Sequence, residues 1–502
     1  MDLRARRLDR LASEPFDLLV IGGGIVGAGI ARAAAEHGLR VALVDRGDFG
    51  GGTSSASSKL VHGGLRYLRL GDVRLVREAL QERRTLMRVV APHLVRRQPF
   101  LFPLYRGGPY GPATIQAGIL LYQLLARARV HRLAKPERAR ELVPDLRLAG
   151  LRSCGVYADA VTHDARLTLA NVRAAADSGA AVVNYAAVVA LRTERGRVAG
   201  AEIEIDGEAV SVRARAVVNA AGPWVDEVRR LEDETGAPSV RLSKGVHVLV
   251  DLDTPWQAAL AVPQDPVRVT FAVPWEGMLL LGTTDTLHEG RPDDARVDDG
   301  DVAQVLAEAS AVLDRRLGRE DVRHAFVGLR VLPGTGSDTS RARRETVFTR
   351  GRAGMLSVAG GKLTTYRRIA SEALEHLADD LGLGGLDRAP RPLPGAAPAA
   401  STLLPELDAA TREHLLHLYG ALAADVLAPA ADDPSLLEPL APGRPDIAAQ
   451  ALYAATNEWA RTEDDVLFRR TTAGIGGTGD GARALVSAFL AGSFQPWRGG
   501  VM

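Results

Sequence analysis

The chain has 502 residues, which corresponds to about three domains. Its composition, 46% hydrophobic and 25% charged, is that of a globular protein able to bury a large core. Lys and Arg (62) balance Asp and Glu (61) to a net charge of +1, which argues against a dedicated nucleic-acid binder, and the single cysteine excludes an intrachain disulfide or a cysteine-ligated metal cluster.

The N-terminus, Met1 to Leu8, lacks the apolar core of a signal peptide. The longest uncharged run, Gly107 to Ala126, is apolar only from Ala113, short of the roughly 20 residues that span a bilayer. An intracellular chain without a transmembrane segment is expected. Cys154 reads as a small packing residue, and no metal site is expected.

The first clear unit runs from Asp17 to Arg46. Asp17 to Ile21 reads as a buried strand, Ile25 to His37 as an Ala-rich helix ended by Gly38, and Arg40 to Val44 as a second strand closed by Asp45. Between strand and helix, Gly22-Gly23-Gly24-Ile25-Val26-Gly27 fits G-x-G-x-x-G. Gly22 permits a tight turn, Gly24 a close approach to a pyrophosphate, and Gly27 close packing of helix on strand. The helix N-terminus offers unpaired N–H groups to phosphate, and Asp45 can accept from a ribose diol. This order predicts dinucleotide binding.

The loop TSSASSKLVHGGLRYL (53–68) follows within a few residues. It is small, polar and glycine-rich, suited to lie against a bulky ligand, and it carries His62, Arg66 and Tyr67. From His62 to Arg140 basic residues far outnumber acidic ones. Within that region Ala113 to Ala126 has apolar residues at helical spacing, followed by Arg127, Arg129, Arg132 and Lys135. This reads equally as an interfacial helix on anionic lipid or as a core helix. Ala214 to Trp224 reads as a strand entering a small-residue turn, and Met355 to Tyr366 as a strand, a double glycine and a helix start. Leu381 to Ser401, rich in Gly, Pro and Ala, reads as a linker. Thr402 to the C-terminus is Leu- and Ala-rich, mildly acidic, and reads as a small helical domain.

Taken in order, G-x-G-x-x-G, TSSASSKLVHGGLRYL, VVNAAGPW (217–224), KGVHVLV (244–250), LLLGTTDT (279–286), VGLRVL (327–332) and VAGGKLTTYR (358–367) closely resemble the FAD-dependent glycerol-3-phosphate dehydrogenases. The resemblance covers about Phe16 to Arg368, with a weaker continuation in Glu458 to Thr471. It implies an α/β fold with a Rossmann-like FAD-binding domain of the glutathione-reductase/D-amino-acid-oxidase type. An antiparallel-sheet substrate domain is interleaved with it, and a small α-helical domain follows. The expected boundaries are 1–61, 155–230 and 345–380 for the FAD domain, 62–154 and 231–344 for the substrate domain, 381–401 for the linker and 402–502 for the C-terminal domain.

The same resemblance implies oxidation of sn-glycerol 3-phosphate to dihydroxyacetone phosphate, with a hydride passing from C2 to non-covalent FAD and the electrons onward to an acceptor. Gly22, Gly24, Gly27 and Asp45 would hold the nucleotide. Thr53, Ser54, Ser55, Ser58, Lys59 and His62 would line the pyrophosphate or ring. Gly222, Pro223 and Trp224 would hold another edge, and Gly361, Leu363 and Thr364 would donate N–H groups to the pyrimidine side. Arg66, Arg330, Lys362 and Arg344 are the implied phosphate cations, with Arg343 or Arg341 able to replace Arg344, and Tyr67 would orient the substrate. His247 leads as proton acceptor and His62 is second; alternatively, Arg330 stabilises the alkoxide without taking the proton. One departure from the family pattern is Val331, where proline usually follows the arginine.

With one cysteine, the chain lacks the Cys-rich extension of the anaerobic branch, and it lacks the mid-chain insertion of the soluble oxidases. The resemblance therefore implies a quinone acceptor and a cytoplasmic protein held peripherally on the inner face of the membrane. A homodimer is a candidate assembly. An oxygen-reducing oxidase, an amine or amino-acid oxidase, and a non-catalytic flavin-bound membrane module are the alternatives.

Overall fold

The computed structural model describes residues 3–65, 68, 71–127, 133–265, 268–334, 346–398, 407–477 and 479–493. Two sheets and a helical C-terminal region organise them. In the first sheet the strands run Thr346–Arg350, Leu356–Gly360, Glu208–Asn219, Phe16–Ile21, Val41–Val44 and Ala181–Val183. All neighbours are parallel except the first pair. Glu208–Asn219 also carries an antiparallel meander with Ala186–Glu194 and Arg197–Ile205.

The alternation of Phe16–Ile21 explains how the sheet is covered on both faces. Leu18 and Val20 pack with Ala28, Ile30 and Ala31 of the helix Ile25–Glu36 and with Ile369 and Ala373 of the helix Tyr366–His376. Leu19 and Ile21 pack with Leu8 and Leu11 of the N-terminal helix Leu3–Ser13 and with the meander. The parallel register sets Ile21 beside both Val44 and Asn219. Three strands therefore end on one line, and the turns at Gly22, Asp45 and Ala220 emerge together.

The second sheet runs Thr286–His288, Val240–Asp251, Met278–Gly282, Val269–Trp275, Ala259–Pro263, Val95–Tyr105, Leu151–Thr162 and Leu60–Val61, with Val322–Pro333 paired to Val240–Asp251. Leu151–Thr162 pairs with Val95–Tyr105 along its whole length. The expected boundary at 154/155 thus falls inside one continuous strand. Backbone hydrogen bonding carries the second sheet on to Thr162, a pairing that sequence spacing did not reveal.

The Pro-rich segment expected as a linker is laid against the body. Arg32 Nη2 donates to the Arg391 carbonyl at 2.8 Å, the Leu393 amide donates to Val90 at 2.8 Å, and Leu393 is buried. Beyond it, the helices Ala409–Tyr419, Ala448–Asn457 and Asp480–Ser493 enclose their own apolar clusters. Among the described residues no helix is long and apolar enough to cross a membrane.

A buried ionic joint fixes this region to the second sheet. His414 sets Nε2 2.8 Å from Asp446 and Nδ1 3.4 Å from Glu276, and His417 Nε2 lies 3.3 Å from Glu276. Burial alone would lower the His414 pKa, but hydrogen bonds to Asp446 and Glu276 outweigh it and raise it to about 9. A raised histidine contributes stability that is complete below its ordinary value near 6.5 and is lost as pH rises through about 9. The calorimetric unfolding midpoint therefore declines between these values, and His414→Gln flattens that limb. An unchanged slope in the variant would exclude this joint as its source.

Candidate active site

A cavity of about 1770 Å³ lies where the two sheets meet. The first sheet supplies Gly22, Gly24, Asp45 and Trp224, and the second supplies Phe100, Phe102, Phe271, Thr283 and Arg330. At the nucleotide end the chain leaves Ile21 through Gly22, whose φ of +104° only glycine adopts readily; a Cβ there would stand 2.6 Å from the Ala220 carbonyl oxygen. A Cβ on Gly27 would stand 1.9 Å from the Gly22 oxygen, so the helix packs directly on the turn. Gly27 is thus the packing glycine, and Gly22 and Gly24 face the cavity. The Ile25 amide at the helix start donates to Ser54 Oγ at 2.9 Å, and Asp45 accepts from Gly23 and Gly47 amides at 2.6 and 2.9 Å.

The serine-rich loop divides its residues between two tasks. Thr53, Ser54, Ser57 and Ser58 line the cavity. Lys59 does not: at φ +59° it turns under the loop, is buried, and donates to Asp164 at 2.6 Å and to the Ser55 carbonyl at 2.5 Å. Ser57 Oγ donates to the other Asp164 oxygen at 2.6 Å. Lys59 and Ser55 were expected on the cofactor; they instead pin the loop, because Asp164 begins the helix Asp164–Asp177 directly beneath it. Ser57, which was not singled out, takes a place on the cavity wall.

His62 lines the cavity, and its backbone is clasped by Thr364, whose hydroxyl accepts from the His62 amide at 3.1 Å and donates to its carbonyl at 3.3 Å. Thr364 is buried behind the wall, so Gly361, Lys362 and Leu363 present that edge. Next to it the Gly63 amide donates to Tyr122 Oη at 2.9 Å and to Asp159 at 3.2 Å. Gly222, Pro223 and Trp224 also line the cavity; Arg46 sits 4.4 Å over the Trp224 ring, and Trp224 Nε1 donates to Asp293 at 3.0 Å.

At the far end, Arg330 reaches the cavity from the strand Val322–Pro333. Its Nη2 donates to Thr283 Oγ1 at 3.0 Å, and its Nη1 donates to the Thr284 carbonyl at 3.2 Å and to Ser243 Oγ at 3.3 Å; Asp285 stands 3.4 Å away. A Cβ on Gly245 would stand 2.7 Å from the guanidinium, so the glycine leaves it room. The LLLGTTDT block thus acts as the mount for Arg330. Arg268, not foreseen, lines the same end, paired to Glu308 at 2.6 and 2.9 Å and donating to the Thr283 carbonyl at 3.1 Å. Arg66, Tyr67, Arg341, Arg343 and Arg344 lie outside the described residues.

His247 was expected to meet the substrate directly. It is buried behind Ser58 instead, its Nε2 2.8 Å from Ser58 Oγ and its ring stacked 5.0 Å from Phe326. Burial, and then the charges of Arg330 and Lys59, lower its pKa well below the usual histidine value, so it is neutral. Ser58, on the wall, is the group through which it reaches the cavity.

These residues fit FAD. The glycine turn and helix start suit a pyrophosphate, Asp45 suits a ribose diol, and the long space between the sheets suits a flavin with a small substrate beyond it. Burial raises the Asp45 pKa to about 6 against the amides of Gly47 and Gly23, which lower it. A ribose diol donates best to the ionised carboxylate, so binding releases the proton that Asp45 holds below that value. FAD affinity, measured by fluorescence quenching, therefore weakens as pH falls through about 6. Asp45→Asn binds more weakly and loses this dependence; a parallel pH profile in the variant would exclude Asp45.

Comparison with known proteins agrees with this geometry. Residues 17–367 match the FAD dependent oxidoreductase family, and residues 356–490 match the C-terminal domain of alpha-glycerophosphate oxidase. The chain is similar to glycerol-3-phosphate dehydrogenase 2 of Mycobacterium tuberculosis, 39% identical over 488 residues that cover 93% of this chain and 82% of the relative. It is also similar to D-erythritol 1-phosphate dehydrogenase of Brucella abortus, 37% identical over 91% of this chain and 94% of the relative. The crystal structure of glycerol-3-phosphate dehydrogenase from Bacillus halodurans, complexed with FAD, superposes with a TM-score of 0.79 at 30% identity, covering 99% of this chain and 94% of that one. With the family match, the identity over most of both chains and the superposition in agreement, the chain belongs to the FAD-dependent glycerol-3-phosphate dehydrogenase family.

Proposed function

We propose that this chain oxidises sn-glycerol 3-phosphate to dihydroxyacetone phosphate with non-covalently held FAD and passes the electrons to a membrane quinone. The observation that carries the substrate reading is Arg330, mounted on Thr283, Thr284 and Ser243 where the second sheet lines the cavity, with Lys362 also on the cavity lining. A phosphate dianion suits this pair of cations. Each hydrogen bond to a charged group contributes about 1.5–3 kcal/mol, enough for two contacts to separate glycerol phosphate from glycerol by orders of magnitude.

The proton then has a defined route. As the C2 hydroxyl gives its proton to Ser58 Oγ, the Ser58 proton moves to His247 Nε2, 2.8 Å away. His247 is held neutral partly by the Arg330 charge. A dianion bound at Arg330 cancels that charge and makes the imidazole more basic. Phosphate binding and base strength are thereby coupled, and a non-phosphorylated alcohol forfeits both. FAD, when bound, supplies the acceptor for the two electrons that leave C2.

The helix Pro112–Leu125 supports the acceptor reading. Ile119 and Tyr122 face inward, while Leu120, Leu121 and Leu124 are 40%, 41% and 72% exposed. The cavity continues to this helix past Leu65, Leu68, Tyr110, Ile115 and Leu121. An apolar passage from the flavin space to an exposed apolar helix face suits a lipid-dissolved acceptor and attachment to a bilayer surface. The helix is thus half core and half open surface, which accounts for its double reading in the sequence.

Two measurements test these proposals. Anaerobic addition of glycerol 3-phosphate bleaches the bound flavin, a short-chain quinone restores the colour faster than oxygen, and Arg330→Ala keeps its colour but needs about 100-fold more substrate. Bleaching at lower concentration by a four-carbon polyol phosphate would reassign the substrate, and faster reoxidation by oxygen would reassign the acceptor. In flotation with anionic liposomes the protein rises with the vesicles, and the triple change Leu120→Gln, Leu121→Gln, Leu124→Gln leaves it behind. Equal flotation of the variant would remove the helix from the membrane face.

A further inference from the structure

Among the described residues the C-terminal helical region reaches the flavin cavity at Arg469, and this contact has a consequence for the cofactor. Asp48 lies three residues after the ribose-facing Asp45 and lines the same end of the cavity. It is buried, and it is held from the C-terminal side: Arg469 Nε donates to its Oδ2 at 2.5 Å and Arg470 Nη2 to its Oδ1 at 2.7 Å. Arg470 is fully buried and also donates to the Glu458 carbonyl at 2.7 Å. Arg469 lines the cavity itself and is held from below by Asp465.

A second contact runs in parallel. Phe49 is fully buried and its ring presses on the nucleotide turn, where a Cβ on Gly23 would stand 2.3 Å from the Phe49 Cδ1. Behind Phe49, edge-on at 5.7 Å, lies Trp459 of the C-terminal region. Asn184 joins the two contacts, donating to Asp48 at 3.2 Å and to the Trp459 carbonyl at 2.7 Å. One segment, residues 458–470, therefore braces residues 48 and 49 through a charge clamp and an aromatic wedge. Those two residues follow the acid that meets the ribose and back the glycine turn that meets the pyrophosphate.

We infer that this C-terminal segment is a cofactor-retaining element: Arg469 completes the adenosine end of the FAD site, and the clamp on Asp48 sets how fast FAD leaves. The physical reason is preorganisation. Two guanidinium groups neutralise Asp48, so the loop after Asp45 keeps its shape without repelling the dinucleotide's negative charge. Arg469 also brings a positive charge to the cavity wall at that end.

The test measures FAD release from the holoenzyme by recovery of flavin fluorescence after dilution, alongside the thermal unfolding of the apoprotein. Arg469→Met keeps the side-chain stem and removes the fork; FAD leaves about 10- to 100-fold faster, the range of a lost hydrogen bond to a charged group, and the apoprotein midpoint also falls because buried Asp48 and Asp465 each lose a partner. Arg469→Lys keeps the charge and gives a smaller, severalfold rise; it decides the matter if the Met variant fails to fold. Arg461→Met is the control, since Arg461 ties the same C-terminal segment to Asp206 at 2.8 Å without lining the cavity, and it leaves the release rate unchanged. FAD release at the original rate in both Arg469 variants overturns the inference. So does an equal acceleration in Arg461→Met, which would make the effect one of general loosening.

Discussion

The buried ion pair of Lys59 and Asp164 is the constraint on which the rest of the site depends. The chain leaves the first sheet at Asp45 and joins the second at Leu60, and everything between must lie against the cofactor space without a core of its own. Lys59 holds that crossing from beneath, with its charge matched by Asp164 and a second donor met by the Ser55 carbonyl. Breaking such a pair by removing one partner costs about 3–5 kcal/mol, because the other charge stays buried. Once pinned, the loop presents Ser54 to the helix start, Ser57 and Ser58 to the cavity, and Thr53 to the Leu329 carbonyl at 2.6 Å, one residue before Arg330.

From that crossing the two ends of the cavity acquire opposite characters. The nucleotide end is built of backbone N–H groups and an acid whose ionisation is held back by burial. The far end is built of cations mounted on hydroxyls and carbonyls, with a neutral histidine screened behind a serine. Burial and the charges of Arg330 and Lys59 hold the His247 pKa well below the usual histidine value, and on the proposed route an anion bound at Arg330 would make the imidazole more basic.

The C-terminal region is joined to both sheets through buried charges. Arg166 meets Glu458 at 2.6 Å with its guanidinium 4.1 Å over the Tyr419 ring, Glu276 meets two histidines, and Asp48 meets two arginines. Each joint spans well over a hundred residues of sequence, and each requires both partners to be desolvated together. A domain that read as a separate helical appendage is therefore built into the body, and the Pro-rich stretch before it is a strap with Leu393 buried.

Local pattern alone determined the strand, glycine turn, helix, second strand and Asp45, because each rests on periodicity or backbone freedom within a few residues. The ordered motifs likewise pointed to the family, to Arg330 and to the glycines at Gly222 and Gly361, which occupy the cavity wall. What the tertiary structure decided were matters of direction and pairing. Lys59 and Ser58 are neighbours with similar prospects in sequence, yet one turns under the loop to an acid 105 residues away and the other faces the cavity. His247 alternates on a strand whose inner face is known only once Val322–Pro333 lies beside it, and Arg268 and Arg469 come to line the cavity only when distant segments close on the same space. A side chain's charge is written in the sequence, but its partner and its solvent exposure are set by contacts across the fold, and those two decide whether it pins, binds or reacts.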